Sequence, residues 1–262
     1  MHSFYSSLAS ARVRWLDLPG HGTPVVFIHG LGCASTWEYP RIVADPAFGG
    51  RRAILIDLPG YGYSERPDGW DYRTSSQAQV VADLIEAIGL THFDLYGHSM
   101  GGSIAIEVAS LLPSRVQVLA VSEPNFIPGG GMFSREIARQ PEAEFIESGY
   151  ARMVQEEQSP WAASLQSSAP RALWRGANSL IEGIDPSWMS LFQALICKKA
   201  LIFGELSLPD GDADAVRNAG IPVHIVPDAG HSMSWENPVA LAGILANIFA
   251  LRACYCMGRV DC

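Results

Sequence analysis

Apolar residues occur along this chain in short uninterrupted runs, and longer stretches with helical periodicity separate them. A short continuous apolar run is typical of a strand buried on both faces of a sheet. In residues 80–88, apolar side chains recur at helical spacing before Gly89, a residue type that often ends helices. Strands that alternate with helices predict a mostly parallel sheet with helices on both faces. The predicted strands are residues 24–28, 53–56, 93–96, 116–121, 200–203 and 223–226.

The pattern changes after Asn125, because no strand-like run follows until about residue 195 and prolines interrupt the helical periodicity. We interpret residues 125–196 as a helical cap inserted over one edge of the sheet, with residues 1–124 and 197–262 forming the core. The cap opens with Pro-Gly-Gly-Gly at 128–131, which has the composition of a flexible hinge. Residues 254–262 are predicted to be an irregular tail.

Hydrophobic residues make up 48% of the chain and charged residues 17%, which excludes a disordered chain and allows one large core. Lys and Arg number 18 and Asp and Glu number 27, so the formal net charge is −9. Binding to nucleic acid requires a basic face, so we expect no nucleic-acid partner. A chain of this length is expected to form one domain, with or without an inserted lobe.

The longest nearly apolar stretch, residues 239–251, has about 13 residues, whereas a membrane-spanning helix needs about 20. The first ten residues lack the apolar core of a secretory signal. The cysteines are scattered without zinc-type spacing, and a domain of this size does not need disulfides. We therefore expect no membrane span and a reducing, cytoplasmic location. The cysteines are Cys33, Cys197, Cys254, Cys256 and Cys262.

Residues 97–102 read Gly-His-Ser-Met-Gly-Gly, directly between a predicted strand and a helical stretch over 103–112. Glycines on both sides of a serine at a strand-to-helix turn allow the tight backbone that exposes a nucleophilic hydroxyl above the sheet. The helix below it supplies a positive dipole end where a negative oxygen develops. This motif predicts Ser99 as a nucleophile.

A serine nucleophile needs a base, normally a histidine that a carboxylate orients. His231 follows the predicted strand 223–226 and precedes the last helix, at the sheet edge where function sits in open α/β folds. We therefore predict His231 as the base. Five other histidines were candidates for the base and are predicted to be surface, strand or packing residues: His2, His21, His92, His98 and His224.

Residues 29–32, His-Gly-Leu-Gly, close an early predicted strand. Gly30 would let the backbone approach a ligand and turn an N–H towards it. The backbone N–H groups of Leu31 and Met100 are predicted to form an oxyanion hole. The alternative is an ordinary loop after a strand.

Four motifs together resemble the α/β-hydrolase superfamily: His29-Gly30, residues 57–64 (Asp-Leu-Pro-Gly-Tyr-Gly-Tyr-Ser), residues 97–102, and Gly230-His231. The resemblance covers roughly residues 12–124 and 197–252. It implies an eight-stranded, mostly parallel sheet, a helical cap, and a Ser/His/acid triad without cofactor or metal. It also implies that Asp57 braces a loop and is not catalytic.

In that superfamily, the acid of the triad most often lies in a Gly-x-x-Asp turn after the strand that follows the cap. This chain departs from that pattern. Residues 204–207 read Gly-Glu-Leu-Ser, with a serine at the aspartate position. A subset of the superfamily carries the acid after the strand before the cap, where Glu123 lies in this chain. We predict Glu123 as the acid, because it follows a buried strand at the catalytic edge. The alternatives left open are Asp210, Asp212 and Glu205.

The cap is rich in aromatic residues and methionines, which suit a pocket for an apolar acyl or alcohol group, although packing against the core explains them equally well. Gly30, Phe126, Trp161 and Trp188 are predicted to line this pocket. Cap arginines could bind a carboxylate or an acidic carrier protein, but solvated helix faces also explain them. The other cap residues considered are Met132, Phe133, Phe145, Tyr150, Met153, Trp174 and Met189, with Arg135, Arg139, Arg152, Arg171 and Arg175.

These observations predict a serine hydrolase that cleaves a carboxylic ester or lactone of a small, largely apolar molecule. One alternative is a hydrolase of a carbon–carbon bond in a keto acid with the same triad, which a cap arginine would favour. Another is a non-catalytic ligand receptor on the same fold, since fold alone does not prove catalysis. A serine at the turn argues against the dehalogenase and epoxide hydrolase relatives, which use aspartate there.

Overall fold

The computed structural model describes residues 1–250, which contain one eight-stranded sheet in the order β1-β2-β4-β3-β5-β6-β7-β8. Strand β2 runs antiparallel to both of its neighbours, and the remaining pairs are parallel. The predicted mostly parallel α/β sheet is confirmed. The strands are β1 His2–Ser6, β2 Ala11–Leu18, β3 His21–Ile28, β4 Arg51–Asp57, β5 Phe93–His98, β6 Val116–Ser122, β7 Lys198–Gly204 and β8 Val223–Val226.

Every strand predicted from an apolar run is present, with ends that differ by a few residues. The pattern missed β1 and β2, which form the antiparallel edge of the sheet. In β2, buried Ala11, Val13 and Trp15 alternate with more exposed neighbours. One face of an edge hairpin meets solvent, so its sequence alternates and does not form a continuous apolar run.

Two apolar layers enclose the sheet, because alternate residues of each strand point to opposite faces. In β3, Val26 and Ile28 belong to one layer, whereas Val25 and Phe27 belong to the other. Helices α3 and α4 cover the first face, and α2 and α13 cover the second. The helices of the core are α1 Ser35–Glu38, α2 Pro40–Val43, α3 Thr74–Ala87, α4 Met100–Leu111, α11 Gly211–Asn218, α12 Met233–Glu236 and α13 Pro238–Ala250.

The segment between β6 and β7 is helical and contains no strand, as its sequence predicts. Gly176 lies against Leu31, Tyr61 and Met100 of the core, which places this segment over the end of β5. Its treatment as a separate domain stays a prediction. Its helices are α5 Met132–Ala138, α6 Glu142–Glu144, a π-helical turn Phe145–Gly149, α7 Tyr150–Glu156, α8 Trp161–Leu165, α9 Pro170–Glu182 and α10 Trp188–Ala194.

Two expectations concern the ends and surface of the chain. The irregular tail predicted for residues 254–262 lies outside the described residues. Across residues 1–250, every helix is too short or too polar to cross a membrane. The apolar stretch that begins at residue 239 belongs to α13, which packs with Leu241, Leu245 and Phe249 against the second face of the sheet.

Candidate active site

Ser99 occupies the sharp turn between β5 and α4, with φ 54° and ψ −125°. A positive φ is uncommon for a residue with a Cβ and costs about 1–3 kcal/mol, so it persists only where the surrounding structure enforces it. The backbone N–H of Ser99 donates to the Ser122 carbonyl at 2.9 Å, which ties the turn to the end of β6. The side chain lines a cavity above the sheet.

The glycines around Ser99 are required by close backbone approach. A Cβ at Gly97 would lie 2.2 Å from the Gly101 carbonyl oxygen, and a Cβ at Gly101 would lie 2.3 Å from the His29 carbonyl oxygen. Contacts this short force the backbone apart. The strand, turn and helix can therefore pack together only with glycine at both positions, as the motif predicts.

Glu123 and His231 meet at the same edge of the sheet. Glu123 Oε2 lies 2.6 Å from His231 Nδ1, and Oε1 accepts a hydrogen bond from the Gly204 N–H at 2.9 Å. Glu123 follows β6 with φ 40°, a left-handed conformation that is again unusual for a residue with a Cβ. Its side chain is 8% exposed, whereas that of His231 is 42% exposed.

The contacts of Glu123 favour its ionised form. Burial by itself would raise the pKa of Glu123, but the hydrogen bond and charge of His231, the Gly204 N–H and the Ser207 hydroxyl together lower it. Ser207, at the position where the superfamily that the sequence resembles commonly has aspartate, thus contributes to holding the carboxylate that follows β6. A buried carboxylate held in this way orients an imidazole and stabilises its cationic form.

The other candidate carboxylates make different contacts. Asp210 Oδ1 caps α11 by accepting from the N–H groups of Asp212 and Ala213 at 2.8 and 3.0 Å. Glu205 Oε2 accepts from the Asp228 N–H at 3.0 Å. Burial and the neighbouring Asp210 charge raise the pKa of Asp212. Asp210 therefore caps a helix, Glu205 holds the loop before His231, and Asp212 lines the cavity with Asp210, whereas the ring of His231 meets Glu123.

His98 packs beside the turn, as predicted, and its ring centroid lies 4.7 Å from that of His231. Its Nδ1 is 2.9 Å from Ser122 Oγ, which in turn lies 2.8 Å from Tyr96 Oη. Burial, followed by the neighbouring His231, lowers the pKa of His98 to about 3. His98 is therefore a neutral ring near neutral pH and adds no second positive charge beside His231.

The residues predicted for the oxyanion hole flank Ser99. Met100 is the first residue of α4, whose first-turn N–H groups have no acceptor within the helix. Leu31 lines the cavity, and its carbonyl accepts from the Trp161 indole at 3.2 Å. A Cβ at Gly30 would lie 3.3 Å from the Ser99 Cβ, so the Gly30 backbone lies close to Ser99. The oxyanion role stays a prediction.

Asp57 braces the loops beside this site. Its Oδ1 accepts from the Thr36 N–H at 3.0 Å, and its Oδ2 accepts from the Thr36 hydroxyl at 2.7 Å and from the Tyr63 N–H at 3.0 Å. Bracing a loop is the role that the resemblance to the superfamily implies for Asp57. Among the described residues, no group of three or more His, Cys, Asp or Glu side chains is placed to hold a metal ion.

The cavity above Ser99 has a volume of about 570 Å³. Of the predicted pocket residues, Gly30, Phe126 and Trp161 line it, and so do the cap residues Met132 and Phe133. Trp188 is placed elsewhere: it is fully buried, and its indole N–H donates to Glu107 at 2.8 Å. The remaining aromatic and Met residues considered in the cap pack against the core: Phe145, Tyr150, Met153, Trp174 and Met189.

The cap arginines also differ in position. Arg135 lines the cavity and donates to the Gly130 carbonyl at 2.6 Å. Arg171 and Arg175 lie within ion-pair distance of Glu142. The two others, Arg139 and Arg152, are exposed. Arg135 is thus the cap arginine that the structure brings to the cavity.

Several lining residues escaped the sequence analysis. Asn125 and Phe203 lie at or just beyond the ends of predicted strands, so the rule that places function at strand ends could have found them. Trp235 lies shortly after His231 in the sequence, and this proximity is the only sequence feature that could have indicated it. Glu38 also lines the cavity, and no pattern in the sequence indicated it.

Comparisons with known proteins agree with this architecture. A sequence model of the α/β hydrolase fold family matches residues 23–190. The chain is 36% identical over 103 residues to 2-hydroxy-6-oxo-2,4-heptadienoate hydrolase from Pseudomonas putida. That match covers 39% of this chain and 37% of the relative, so the chain spans well under half of the relative's length.

Two solved structures share nearly the whole fold. A thermophilic esterase from Thermogutta terrifontis has a TM-score of 0.76 at 22% identity, over 92% of this chain and 94% of that one. An N-acyl homoserine lactonase has a TM-score of 0.72 at 19% identity, over 95% and 96%. At these identities the likeness shows the fold alone. The family match spans more than half of the chain, which therefore belongs to the α/β-hydrolase fold family.

Proposed function

We propose that this protein is a serine hydrolase that cleaves a carboxylic ester or lactone of a small, largely apolar substrate through an acyl-enzyme on Ser99. The observation that carries the proposal is the 2.6 Å contact between His231 Nδ1 and Glu123 Oε2, at the sheet edge where the Ser99 turn opens into the cavity. Nucleophile, base and orienting carboxylate are the three groups that acyl transfer by serine requires.

In the first half-reaction, Ser99 Oγ attacks the substrate carbonyl. With the proton of the His231 ring on Nδ1, which faces the Glu123 carboxylate, Nε2 accepts the Ser99 proton. The N–H groups of Leu31 and Met100 stabilise the negative oxygen of the tetrahedral intermediate. His231 then delivers the proton to the leaving alcohol, and the acyl group stays on Ser99.

In the second half-reaction, water replaces the alcohol. His231 Nε2 removes a proton from the water as it attacks the acyl carbon, and the proton then passes to Ser99 Oγ as the ester bond breaks. Glu123 stabilises the imidazolium in both halves, because its lowered pKa keeps it ionised near neutral pH. The products are a carboxylic acid and an alcohol, or a hydroxy acid from a lactone.

The cavity supports a small and partly apolar substrate. Its volume of about 570 Å³ falls in the range of small-molecule sites. The cap side of the cavity has an apolar wall formed by Phe126, Phe133 and Trp161. Ser99 and His231 lie at the sheet side. The known esterase and lactonase with the same fold are consistent with this class of substrate.

Fluorophosphonate labelling with peptide mass mapping tests the proposal. We expect an adduct on Ser99 in the wild-type protein and none in Ser99→Ala. Turnover of a panel of short-chain esters and lactones should vanish in the same variant. If folded wild-type protein forms no adduct, the proposal is wrong, and tight ligand binding without product would then favour a receptor.

The position of Arg135 favours a second candidate, hydrolysis of a carbon–carbon bond in a keto acid. Arg135 lines the cavity and could pair with a substrate carboxylate. The Pseudomonas putida relative is named as the hydrolase of such an acid anion. Under this candidate, Arg135→Gln raises KM for a dienoic keto acid at least about tenfold without changing KM for a neutral ester. The exposed Arg139→Gln is the matched control and should change neither.

A further inference from the structure

Glu38 is a buried carboxyl group in the wall of the cavity that the proposed mechanism does not use. It is 3% exposed, it ends helix α1, and it lines the same cavity as Ser99 and His231. Burying a carboxyl group is costly unless its oxygens have hydrogen-bond partners. The partners of Glu38 therefore indicate why a carboxyl group is present at this point.

The first partner belongs to the segment that carries His231. The Ser234 hydroxyl donates to Glu38 Oε1 in a short hydrogen bond, and Ser234 is 2% exposed. Ser234 lies on α12, three residues after His231. The contact thus joins α1 to the first turn of structure that follows the predicted base.

The second partner belongs to the segment that carries Leu31. Cys33 lines the cavity together with Glu38, and burial followed by the neighbouring Glu38 raises the pKa of the Cys33 thiol. Cys33 Sγ donates to the Leu31 carbonyl at 3.6 Å. Glu38 therefore lies between the loop of the predicted oxyanion hole and the loop of the predicted base.

Burial and the neighbouring groups act in opposite directions on the pKa of Glu38. Burial raises the pKa of Glu38, although contacts with Ser234 and Cys33 and the charges of His231 and Arg41 oppose the shift. The Ser234 hydroxyl supplies a hydrogen bond to the buried Glu38 Oε1, which offsets part of the cost of burying the carboxyl group.

Other contacts hold α12 against the same part of the chain. The Arg41 guanidinium lies 3.6 Å from the centre of the Trp235 ring, and the Trp37 and Trp235 rings are 6.4 Å apart. Arg41 and Trp37 are both outside the cavity wall, whereas Glu38 is part of it. Glu38 is thus the polar contact of α1 with α12 that lies next to the reacting groups.

We propose that Glu38 is a positioning residue, which holds the His231 loop against the Leu31 loop through Ser234 and Cys33. The inference rests on the proposed function, since it concerns the geometry of the same site. Two loops that must place a base and an oxyanion donor around one carbonyl carbon need a fixed separation. A displacement of about 1 Å in such a site can lower the rate on the order of 100-fold.

The test measures the acylation of Ser99 by a fluorophosphonate in Glu38→Leu, Glu38→Gln, Ser234→Ala and the double variant Glu38→Leu/Ser234→Ala. We expect Glu38→Leu to lower the maximal acylation rate about 10- to 100-fold with little change in the concentration of probe that gives half of that rate. Glu38→Gln keeps an acceptor for the Ser234 hydroxyl, so it should stay within about threefold of wild type. A role that depends on an ionised Glu38 would not be rescued by Gln.

The double variant tests whether Glu38 acts through Ser234. If it does, Ser234→Ala lowers the rate on its own but causes no further loss in the Glu38→Leu background. Multiplying losses would overturn the inference, and so would wild-type rates in Glu38→Leu or a failure of Glu38→Gln to restore them. Since Ser234→Ala is a smaller change, it keeps the test valid if Glu38→Leu does not fold.

Glu107→Gln is the matched control. Glu107 is another buried carboxyl group, 7% exposed, that accepts from the Trp188 indole and is not part of the cavity wall. We expect this variant to change thermal stability without changing the acylation rate. Absence of labelling in wild-type protein would instead contradict the proposed function itself, so the two failures are distinguishable.

Discussion

The sheet edge around Ser99 and the helical segment between β6 and β7 both border the cavity, but they are built differently. At the sheet edge, Ser99 and Glu123 have positive φ, and hydrogen bonds with backbone groups of neighbouring strands hold both residues. In the helical segment, Met132 is 67% exposed and Gly129 has open space around it. From this comparison we infer that backbone geometry positions the predicted catalytic residues, whereas cap side chains shape the pocket.

The largest effect is expected at the sheet edge, from Glu123→Gln. The amide keeps the size of the side chain but loses the charge that stabilises imidazolium. Since the Gly204 N–H holds the oxygen at the Oε1 position, the amide turns an NH2 donor towards His231 Nδ1. We expect the rate of Ser99 acylation to fall on the order of 10³- to 10⁴-fold. Fluorophosphonate labelling rates at pH 7 measure this loss.

Asp210→Asn is the matched variant for the competing acid. Asparagine can still cap α11, so the fold should be retained. We expect labelling within a few fold of wild type. A loss in Asp210→Asn as large as in Glu123→Gln would transfer the role of acid to Asp210.

A smaller effect, on stability, is expected from adding one methyl group to a glycine in each region. A Cβ at Gly101 would lie 2.3 and 2.4 Å from the carbonyl oxygens of His29 and Ile28. We expect Gly101→Ala to lower the free energy of unfolding by about 3 kcal/mol, because backbone must move. Urea denaturation measures the change.

Gly131→Ala is the counterpart in the helical segment. The nearest atom to a Cβ at Gly131 is Asn125 Nδ2 at 3.8 Å, and its φ of −92° suits any residue. We expect a change within about 1 kcal/mol. Equal losses in the two variants would remove the proposed difference between the regions.

The burial of His98 is expected to make the stability of the folded protein depend on pH. Its pKa is lowered to about 3 by burial and by His231, while an unfolded histidine titrates near 6.5. Below pH 6.5 the unfolded chain therefore binds a proton that the folded chain does not, so folded stability falls as pH decreases. The contribution at pH 5 is about 2 kcal/mol relative to neutral pH.

His98→Asn should remove that contribution, because asparagine does not titrate. Urea denaturation of wild type and variant between pH 7 and pH 5 compares the two slopes. The variant should lose about 2 kcal/mol less over this range. Parallel curves would show that His98 is protonated equally in both states.

The smallest effect is expected in the helical segment, from Phe133→Ala. Phe133 lines the cavity, packs 4.9 Å from the Trp161 ring, and is 37% exposed. We expect KM for longer acyl esters to rise several fold, about 1 kcal/mol, with no change in labelling by a small fluorophosphonate. The exposed Leu206→Ala is the control, and a drop in labelling rate in Phe133→Ala would contradict the separation of roles.

The sequence predicted different parts of this molecule for different reasons. Buried parallel strands have unmistakable apolar runs, and the Gly-x-Ser-x-Gly turn has a steric requirement that is local in the chain. The edge strands β1 and β2 lack such runs because one face meets solvent. Trp188 could not be separated from pocket residues, since the partner of its indole N–H, Glu107, lies far away in the sequence.

The acid shows the same limit in the candidate site. Glu123 and Asp210 both lie after the nucleophile and before His231 in the chain, so order left both open. Their distances in space separate them, because Glu123 Oε2 lies 2.6 Å from the His231 ring, whereas Asp210 accepts from the N–H groups that begin α11. The catalytic role itself stays a prediction until the variants are measured.

By itself, the sequence determined the buried parallel strands, the helices between them and the residues that can form a nucleophile turn, because hydrophobic periodicity and backbone sterics act between near neighbours in the chain. Only the tertiary structure decided which carboxylate meets His231, which aromatic residues face the cavity, and that Glu38 lies between two loops. These contacts join residues separated by many positions, and their geometry depends on how the whole sheet and its helices pack.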